Sequence, residues 1–411
     1  MQRNLVNTDP QRRSELRRII RNTLANNWPS LVALSHAIHD DPELAYHEYH
    51  AAEQLTRILS SAGFHTDMGV YGLPTACEAV FGNGELTATL CAEYDALPGI
   101  GHACGHNIIA TAAAGAALAL APVAEAADLR IKVLGTPAEE HGGGKADLLR
   151  AGAWEDSSFS LMVHPMGAPD VSADAVKYTA VKRYSVTYYG VASHAAAAPE
   201  LATNASAAAT IALTAMALLR QQLPKTSNIN AIVVDGGDVT NIIPGKNELG
   251  LEIRAQDLDE LADVTRRTLA CFEAGAIATG CTWEHHLAEN PYAPVANDPL
   301  LVTMWDKNLT DTGRQISGGI ESSGGSTDMG NVTQVLPALH GVIAIEGCSA
   351  SPHQEAFREA AASKEGERTA FDAALALAWT ALDAALDPAV RSELLLRQAQ
   401  RPAGATTLET I

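Results

Sequence analysis

Aromatic residues and positive charges are both scarce in this chain of 411 residues. Phe, Trp and Tyr together make up 5% of the sequence, which offers no obvious platform for stacking a planar ligand. Lys and Arg number 28 against 48 Asp and Glu, so the formal net charge is −20 at pH 7. A negative excess of this size repels phosphate backbones and anionic lipid headgroups. The composition therefore argues against a nucleic-acid partner and against a membrane partner.

Cysteines and long apolar runs are also few. The six cysteines are sparse and follow no pattern, which is typical of reduced thiols and not of a disulfide framework. Met1–Asn22 contains several arginines but no apolar stretch of the kind found in a secretory signal. Ile108–Val123 is apolar but contains Gly115 and falls short of a membrane span, so it is interpreted as a buried helix. These features predict a cytoplasmic protein.

The length predicts two domains, at about 100–200 residues per domain. Apolar spacing predicts helices at Gln11–Ala25, Pro29–His39 and Tyr49–Ser61. Strand-length and helix-length runs then alternate, over Thr87–Ala92, Ile108–Val123, Leu129–Gly135, Lys145–Ala151 and Ser160–Val163. This alternation predicts an α/β fold with a mostly parallel sheet.

A different pattern begins near residue 181. Strands and helices are predicted in the order βαββαβ, over Arg183–Tyr189, Thr203–Gln222, Asn230–Val234, Glu248–Arg254, Leu258–Ala278 and Thr282–Leu287. This is the ferredoxin-like order, so residues 181–290 are predicted to form an inserted domain. Residues 1–180 and 291–411 then form one discontinuous domain. Its second part is predicted to hold a helix at Leu300–Asp311, a Gly/Ser loop at Ser317–Ser326, a strand at Val342–Ile345, a helix at Glu365–Ala385 and, after Asp387, a tail with a loose end.

Metal-ligating side chains follow the predicted strands of the discontinuous domain. After them come Asp95, Cys104 and His106, then Glu139 and Glu140, then His164, and later His353. Sites in open α/β sheets form beyond the carboxyl ends of the strands, so these side chains are expected around one crevice. A thiolate, imidazoles and carboxylates together suit Zn, Mn, Co or Ni better than Ca or Mg.

Each of these features has an ordinary explanation when it is taken alone. A Cys and a His two residues apart can arise by chance in a Gly-rich turn, and paired glutamates often form a solvated turn. A histidine after an apolar strand, such as His164, is usually hydrogen-bonded in the core, and His353 could be an ordinary loop residue. The hypothesis of a metal site depends on the conjunction of these residues at successive strand ends.

An ordered series of motifs extends this pattern from His36 to about Ala381. It comprises HACGHN around Cys104 and His106, the pair Glu139-Glu140, MVHP at His164, SHAAAAP, GGDVTNIIP, GGSTDMGNVT and a late histidine. With these motifs the chain resembles the dinuclear-metal aminoacylase and carboxypeptidase superfamily, in the branch that holds aminobenzoyl-glutamate hydrolase and related dipeptidases. The resemblance implies a metallopeptidase-like catalytic domain and an inserted lid that also forms a homodimer.

The resemblance also implies a role for each matching residue. Two divalent ions, Mn or Zn with Co or Ni as alternatives, would be held by Cys104, His106, Glu140, His164 and His353. Glu139 matches the general base, and Asn241 matches a lid residue that contacts substrate or oxyanion. His194 matches a lid histidine that reaches the active site of the partner subunit and polarises the scissile carbonyl. Asp95 matches a carboxylate that orients a ligand.

Two positions remain open. Many relatives have His-x-Asp where this chain has Glu93-Tyr94-Asp95, so that histidine ligand is absent and His106 has to supply the imidazole. Arg254, on a predicted lid strand, could bind a substrate carboxylate, although cations on exposed strands are more often simply solvated.

The preferred hypothesis is a metal-dependent amidohydrolase. Its small-molecule amide substrate would be an N-acyl amino acid, an aminobenzoyl-glutamate-like conjugate or a small dipeptide. One alternative is a hydrolase of a non-peptide or xenobiotic amide. Another is a regulatory protein that binds metal and is catalytically inactive, although metal binding alone would need neither Glu139 nor His194.

Overall fold

The computed structural model describes residues 10–317 and 325–402. The helices are α1 (Pro10–Asp40), α2 (Tyr49–Ser61), α3 (His106–Leu120), α4 (Gly144–Arg150), α5 (Ala205–Arg220), α6 (Leu258–Thr279), α7 (Pro299–Asp311), α8 (Met329–Thr333), α9 (Glu355–Ala361), α10 (Lys364–Leu386) and α11 (Pro388–Gln400). The strands are β1 (His65–Met68), β2 (Cys77–Phe81), β3 (Leu86–Ala92), β4 (Leu129–Gly135), β5 (Phe159–Gly167), β6 (Ala180–Tyr189), β7 (Ser193–His194), β8 (Asn228–Asp235), β9 (Ile242–Ile243), β10 (Lys246–Ala255), β11 (Thr282–Leu287) and β12 (Ala338–Ile345).

The chain forms two compact units. Within the described residues, the first unit comprises 10–177, 295–317 and 331–402, and the second comprises 178–294 and 325–330. Residues 325–330 join the second unit because the backbone amide of Thr179 donates to the carbonyl of Gly325, and the Ser326 hydroxyl donates to the carbonyl of Thr179.

A six-stranded sheet in the order β1-β2-β4-β3-β5-β12 forms the centre of the first unit. The pairings of β4 with β3, β3 with β5 and β5 with β12 are parallel, whereas β1 and β2 form an antiparallel edge. Every residue of β3 and β12 is buried, as expected for strands covered on both faces. The predicted α/β fold with a mostly parallel sheet is therefore confirmed.

Three helices pack closely against one another in the core of this unit. A Cβ atom on Gly115 of α3 would lie 3.0 Å from Cβ of Ala374 in α10 and 3.1 Å from Cδ1 of Leu24 in α1. The stretch His106–Val123 and helix α10 are long and apolar enough to cross a membrane, by length and composition only. Of the apolar window in each, 89% and 94% respectively is buried inside the protein, as is usual for core helices.

The second unit contains a four-stranded antiparallel sheet in the order β11-β6-β10-β8. Its elements follow the βαββαβ order, with α5 and α6 packed against the sheet. Asn204 caps α5 by accepting hydrogen bonds from two backbone amides, and Asp257 caps α6 in the same way with one. Strand β8 lies at one edge of the sheet, and the short strands β7 and β9 pair separately.

The helices differ from the predictions in two places. Residues 10–40 form a single helix that continues through Pro29, where two helices were predicted. Proline removes the hydrogen bond to the carbonyl of Ala25, but Ala25 is exposed and water can take the place of the lost donor. After Asp387 the chain continues as α11, a helix that was not predicted, because Asp387 caps it and the buried Leu394 anchors it. The predicted loose end of the tail falls on residues 403–411, outside the described residues.

Strands β1 and β2 were not predicted. β1 is short and mostly exposed, so its sequence carries little hydrophobic pattern. The predicted loop at Ser317–Ser326 lies largely in residues 318–324, outside the described residues.

Candidate metal centre

The segments that follow β3 and β4, the end of β5 and the loop after β12 bring the predicted ligands into contact. Three overlapping groups of side chains each offer donor atoms that lie within 4.8 Å of one another: Cys104, His106 and His164; Cys104, Glu140 and His353; and Glu93, His106 and Glu139. The structure thus brings together all five predicted metal ligands and the predicted base Glu139, all within the first unit.

His106 begins α3 and is oriented by Asp95. Gly105, just before it, has a left-handed φ of 78°, and a Cβ there would lie 2.6 Å from Cγ of Pro165, so the turn requires glycine. Nδ1 of His106 lies 3.0 Å from Oδ1 of Asp95, while the other Asp95 oxygen accepts a hydrogen bond from the backbone amide of Glu140 at 2.8 Å. Asp95 therefore links the two ligand-bearing loops and directs Nε2 of His106 towards the other ligands.

His164, near the end of β5, faces Cys104. Its Nδ1–H donates to the carbonyl of Pro165 at 2.7 Å, which leaves Nε2 as the atom with a lone pair. That atom lies 3.4 Å from Sγ of Cys104. The two side chains thus present a nitrogen and a sulfur donor to the same position.

His353 completes the centre from the loop after β12. It has a φ of 68°, which is uncommon for a residue with a side chain, and its backbone amide donates to the carbonyl of Ala103 at 2.8 Å. Its Nε2 lies 3.3 Å from Oε2 of Glu140. Backbone strain of this kind is typical of functional sites.

The turn before the paired glutamates is held by a residue that the sequence did not indicate. Ala138 has a φ of 62°, and its backbone amide donates to Oε1 of the fully buried Glu48 at 2.8 Å. Oε2 of Glu48 accepts a hydrogen bond from the hydroxyl of Thr75, also at 2.8 Å. Burial, with the charge of Asp95 adding to it, raises the pKa of Glu48 to about 7.

The electrostatics of the cluster fit a bound cation. Glu93, Asp95 and Glu139 are all buried. Among the described residues, Oε2 of Glu93, Nε2 of His106 and Oε1 of Glu140 are buried without a hydrogen-bond partner, which is costly unless another group satisfies them. Burial, followed by the charge of Glu140, raises the pKa of the Cys104 thiol well above its usual range. A divalent cation would satisfy these atoms and favour the thiolate.

The remaining predicted residues lie in the second unit. His194 on β7 pairs with Ile242 on β9, and the backbone carbonyl of Asn241 accepts from the amide of Ala195 at 2.8 Å. Nδ1 of His194 accepts from the amides of residues 196 and 197, at 3.2 and 3.1 Å, which leaves Nε2 to carry the proton. Arg254 lies on β10, where its guanidinium binds Glu252 and the hydroxyl of Ser326.

Sequence reasoning missed several buried residues around the cluster. Glu93 lies directly after β3 and binds Lys145 of α4, and both side chains are fully buried. His340, also fully buried, stacks on His164 with ring centroids 5.8 Å apart. The position of Glu93 at a strand end was a signal for it, whereas His340 lies within a strand and resembles an ordinary core residue.

Comparison with known proteins agrees with this arrangement. Residues 79–372 match the model of peptidase family M20/M25/M40. The chain is 39% identical over 382 residues to the Xaa-Arg dipeptidase of Mus musculus, covering 88% of this chain and 86% of that protein. It is 29% identical over 290 residues to one of the p-aminobenzoyl-glutamate hydrolase chains of Escherichia coli strain K12, covering 66% of this chain and 60% of that one.

A solved structure shares the fold. It is that of a dinuclear metal-binding peptidase of family M20 from Bacillus subtilis, with a TM-score of 0.65 and 20% sequence identity, covering 87% of this chain and 99% of that one. The family model matches well over half of the sequence and the mouse relative matches most of it. The chain therefore belongs to peptidase family M20/M25/M40.

Proposed function

We propose that this chain cleaves small dipeptides or N-acyl amino acids with Glu139 as the general base. Its membership of the peptidase family already makes it a hydrolase of amide or peptide bonds. The observation that carries the proposal is the cluster at the strand ends. There, donor atoms of the buried Cys104 and His106 and of the partly buried Glu140 and His164 face one another, with Glu139 beside them. A general base and a set of metal-ligating atoms in one place are the parts that amide hydrolysis needs.

Two divalent ions, Mn or Zn with Co or Ni as alternatives, are the proposed cofactors. The donor set supports ions of this kind, because a thiol and imidazoles are poor ligands for Ca and Mg. When bound, such ions make a water more acidic and polarise the amide carbonyl. The proposed ligands are Cys104, His106, Glu140, His164 and His353, with Asp95 holding the imidazole of His106 in position.

Glu139 is proposed to move the proton. Its carboxylate accepts a proton from the attacking water and later delivers it to the nitrogen of the leaving amine. His194 is proposed to reach the active site of the partner subunit and to donate Nε2–H there to the carbonyl oxygen as negative charge develops. Its hydrogen-bonding pattern supports this tautomer. Asn241 is the proposed second contact to substrate or oxyanion.

Dipeptides that end in a cationic residue are the first substrates to test. A relative that matches along most of the chain is named an Xaa-Arg dipeptidase, and a chain with a net charge of −20 attracts cationic small molecules. Arg254 is a weaker candidate for binding a substrate carboxylate than the sequence suggested, because its guanidinium already binds Glu252.

We also propose that the second unit acts as a lid and forms a homodimer. Strand β8 lies at the edge of its sheet with Ile232, Val233 and Val234 exposed. An apolar edge strand is a template for pairing with a second strand, and a second copy of this chain would cover it.

The proposed activity is tested by a hydrolysis screen of the purified protein loaded with Mn, Zn or Co. Dipeptides ending in Arg or Lys, dipeptides ending in Glu, aminobenzoyl-glutamate and N-acetyl amino acids are compared by the amine that they release. We expect dipeptides with a cationic C-terminal residue to be cleaved fastest. Release of amine from none of these substrates would contradict the proposal.

Two variants separate the base from the ligands. Glu139→Ala is expected to keep its metal and lose turnover by at least about 100-fold, whereas His353→Ala is expected to lose metal. His65→Ala, at an exposed histidine on β1, is the control and should change neither. Equal metal loss in Glu139→Ala and His353→Ala, measured by elemental analysis, would contradict the assignment of Glu139 as the base.

A further inference from the structure

Glu93 and Lys145 form a buried pair of opposite charges beside the metal centre, and neither was among the predicted site residues. Both side chains have 0% exposure. Nζ of Lys145 donates to Oε1 of Glu93, so one carboxylate oxygen of Glu93 is held by the ammonium group. The second oxygen is therefore the one that can bind another group.

That second oxygen faces the predicted metal ligands. Oε2 of Glu93 lies 3.5 Å from Nε2 of His106. Within the part of the chain that the structure describes, both of these atoms are buried and lack a hydrogen-bond partner. Nδ1 of His106 is taken up by Asp95, so the ring cannot turn its other nitrogen away without breaking that contact. A cation between two such acceptor atoms would satisfy both of them at once.

We propose that Glu93 is a further ligand of the divalent ion held by His106, binding it through Oε2 while Lys145 holds Oε1. This inference rests on the proposed metal centre and adds one ligand to it. Glu93, His106 and Glu139 each have a donor atom within 4.8 Å of the other two, which is the spacing that a shared cation requires. Glu93 directly follows β3, His106 begins α3, and Glu139 lies in the turn after β4, so three different elements of the first unit bring the donors together.

Lys145 explains why a further carboxylate can be tolerated here. Glu93, Asp95 and Glu139 are buried close together, and each added anion raises the cost of burial in the absence of the metal. The ammonium group of Lys145 offsets the charge of Glu93 without occupying Oε2. The Glu93–Lys145 pair therefore supplies a ligand oxygen while adding little net charge to the buried cluster.

The competing explanation is that Glu93 and Lys145 form an ion pair with a purely structural role. A double variant that removes both charges distinguishes this explanation from metal binding by Glu93. Glu93→Gln alone would remove the negative charge that faces the buried ammonium group of Lys145, which can unfold the protein for reasons unrelated to metal. Glu93→Gln combined with Lys145→Met removes both charges and nearly preserves both volumes. Lys145→Met alone keeps the carboxylate and is the matched control.

The measurement is the number and affinity of bound Mn²⁺ ions, by isothermal titration of the chelator-treated full-length protein and elemental analysis after dialysis. We expect two ions per chain in the wild type and in Lys145→Met. In the double variant we expect the affinity for one ion to fall by about 10- to 100-fold, with the thermal unfolding transition retained.

Two other outcomes would overturn the inference in different ways. Two ions bound with wild-type affinity by the folded double variant would show that Glu93 serves Lys145 alone, and the proposed function would stand. A wild-type protein that binds no Mn²⁺, Zn²⁺ or Co²⁺ would overturn the proposed metal centre together with this inference.

Discussion

Glu48 couples the stability of the first unit to pH through a single buried carboxyl group. Its pKa is raised from 4.5 to about 7, first by burial and then by the charge of Asp95. The folded protein therefore binds this proton up to about pH 7, whereas the unfolded chain releases it near pH 4.5. The contribution to stability is present below about pH 4.5 and is lost as the pH rises through 7, by an amount of order 3 kcal/mol.

We predict that Glu48→Gln removes this part of the pH dependence. The amide keeps an oxygen for the backbone N–H of Ala138 but carries no charge at any pH. Urea unfolding of the chelator-treated protein at about pH 5 and pH 8 measures the effect. The free energy of unfolding should fall less between these two pH values in the variant than in the wild type. Glu53→Gln, on the exposed side of α2, is the control. If the free energy of unfolding of Glu48→Gln falls as much as that of the wild type, the role given to this carboxyl group is contradicted.

Gly105 offers a second test at a single residue. We predict that Gly105→Ala lowers the free energy of unfolding by about 2–4 kcal/mol and weakens metal binding, because the Cβ adds strain at φ 78° and would lie 2.6 Å from Cγ of Pro165. Gly99 is a matched control: its φ is 75°, and no atom of the described residues comes within 4 Å of a Cβ built there.

Gly99→Ala should therefore cost about 1–2 kcal/mol, from backbone strain alone, and leave metal binding unchanged. Urea unfolding and titration with Mn²⁺ measure both variants. Equal losses of stability and no change in metal affinity would mean that the contact with Pro165 does not hold His106 in place.

How far the residues of the site could be predicted depended on their position along the strands. Cys104, Glu139 and His164 follow or end predicted strands, and the structure brings them together because parallel strands end at one edge. Glu48 could not be predicted, since it lies on the loop before α2 and contacts the site through one backbone amide of Ala138. Glu93 follows β3 directly, but its ion pair with Lys145 could not be predicted, because only the folded structure places Lys145 beside it.

At the scale of elements, α1 shows why proline alone is a poor guide to where a helix ends. The helix buries Leu24 and Leu31 on either side of Pro29, and Trp28 packs edge-on against Phe371 of α10. These tertiary contacts outweigh the one hydrogen bond that proline removes. The apolar spacing on each side of Pro29 was predicted correctly, whereas the continuity through it depended on packing that no local pattern contains.

We predict that Pro29→Ala raises the free energy of unfolding by about 1–2 kcal/mol. Alanine restores a donor for the carbonyl of Ala25 and improves helix propensity, while the greater flexibility of the unfolded chain offsets part of the gain. Urea unfolding compares this variant with Ser30→Ala, a control at the next exposed position. A loss of stability in Pro29→Ala would indicate that packing of α1 requires the proline.

Helix α11 was missed for a different reason. Asp387 and Pro388 form a capping signal, in which the carboxylate accepts from the amides of residues 389 and 390 and proline occupies the first turn. The charged and polar composition after Asp387 obscures this signal in the sequence. The helix is held against the first unit by the buried side chain of Leu394 and by the guanidinium of Arg391, which donates a hydrogen bond to Asp128.

At the scale of the whole molecule, the proposed dimer makes the exposed edge of the second unit the place to test assembly. We predict that Ile232→Lys, at a side chain that is 62% exposed on β8, shifts the protein from dimer to monomer. Light scattering after size exclusion measures the mass at several concentrations. Leu218→Lys, on α5 at 69% exposure, is the matched control and should remain dimeric. A wild-type protein that is monomeric throughout would contradict the proposed homodimer.

The interruption of the first unit by the second sets an order in which the protein can be made. The ribosome delivers β3, β4 and β5 with Cys104 and His164 first, then the inserted unit, and only afterwards β12 and His353. At about 5–20 residues per second, the nascent chain waits on the order of ten seconds or more between His164 and His353. During that interval β5 has only β3 of its two parallel neighbours, because β12 is not yet made, and the ligand set lacks its last imidazole. Metal loading of the complete centre thus follows the synthesis of His353 and cannot guide the folding of the first strands.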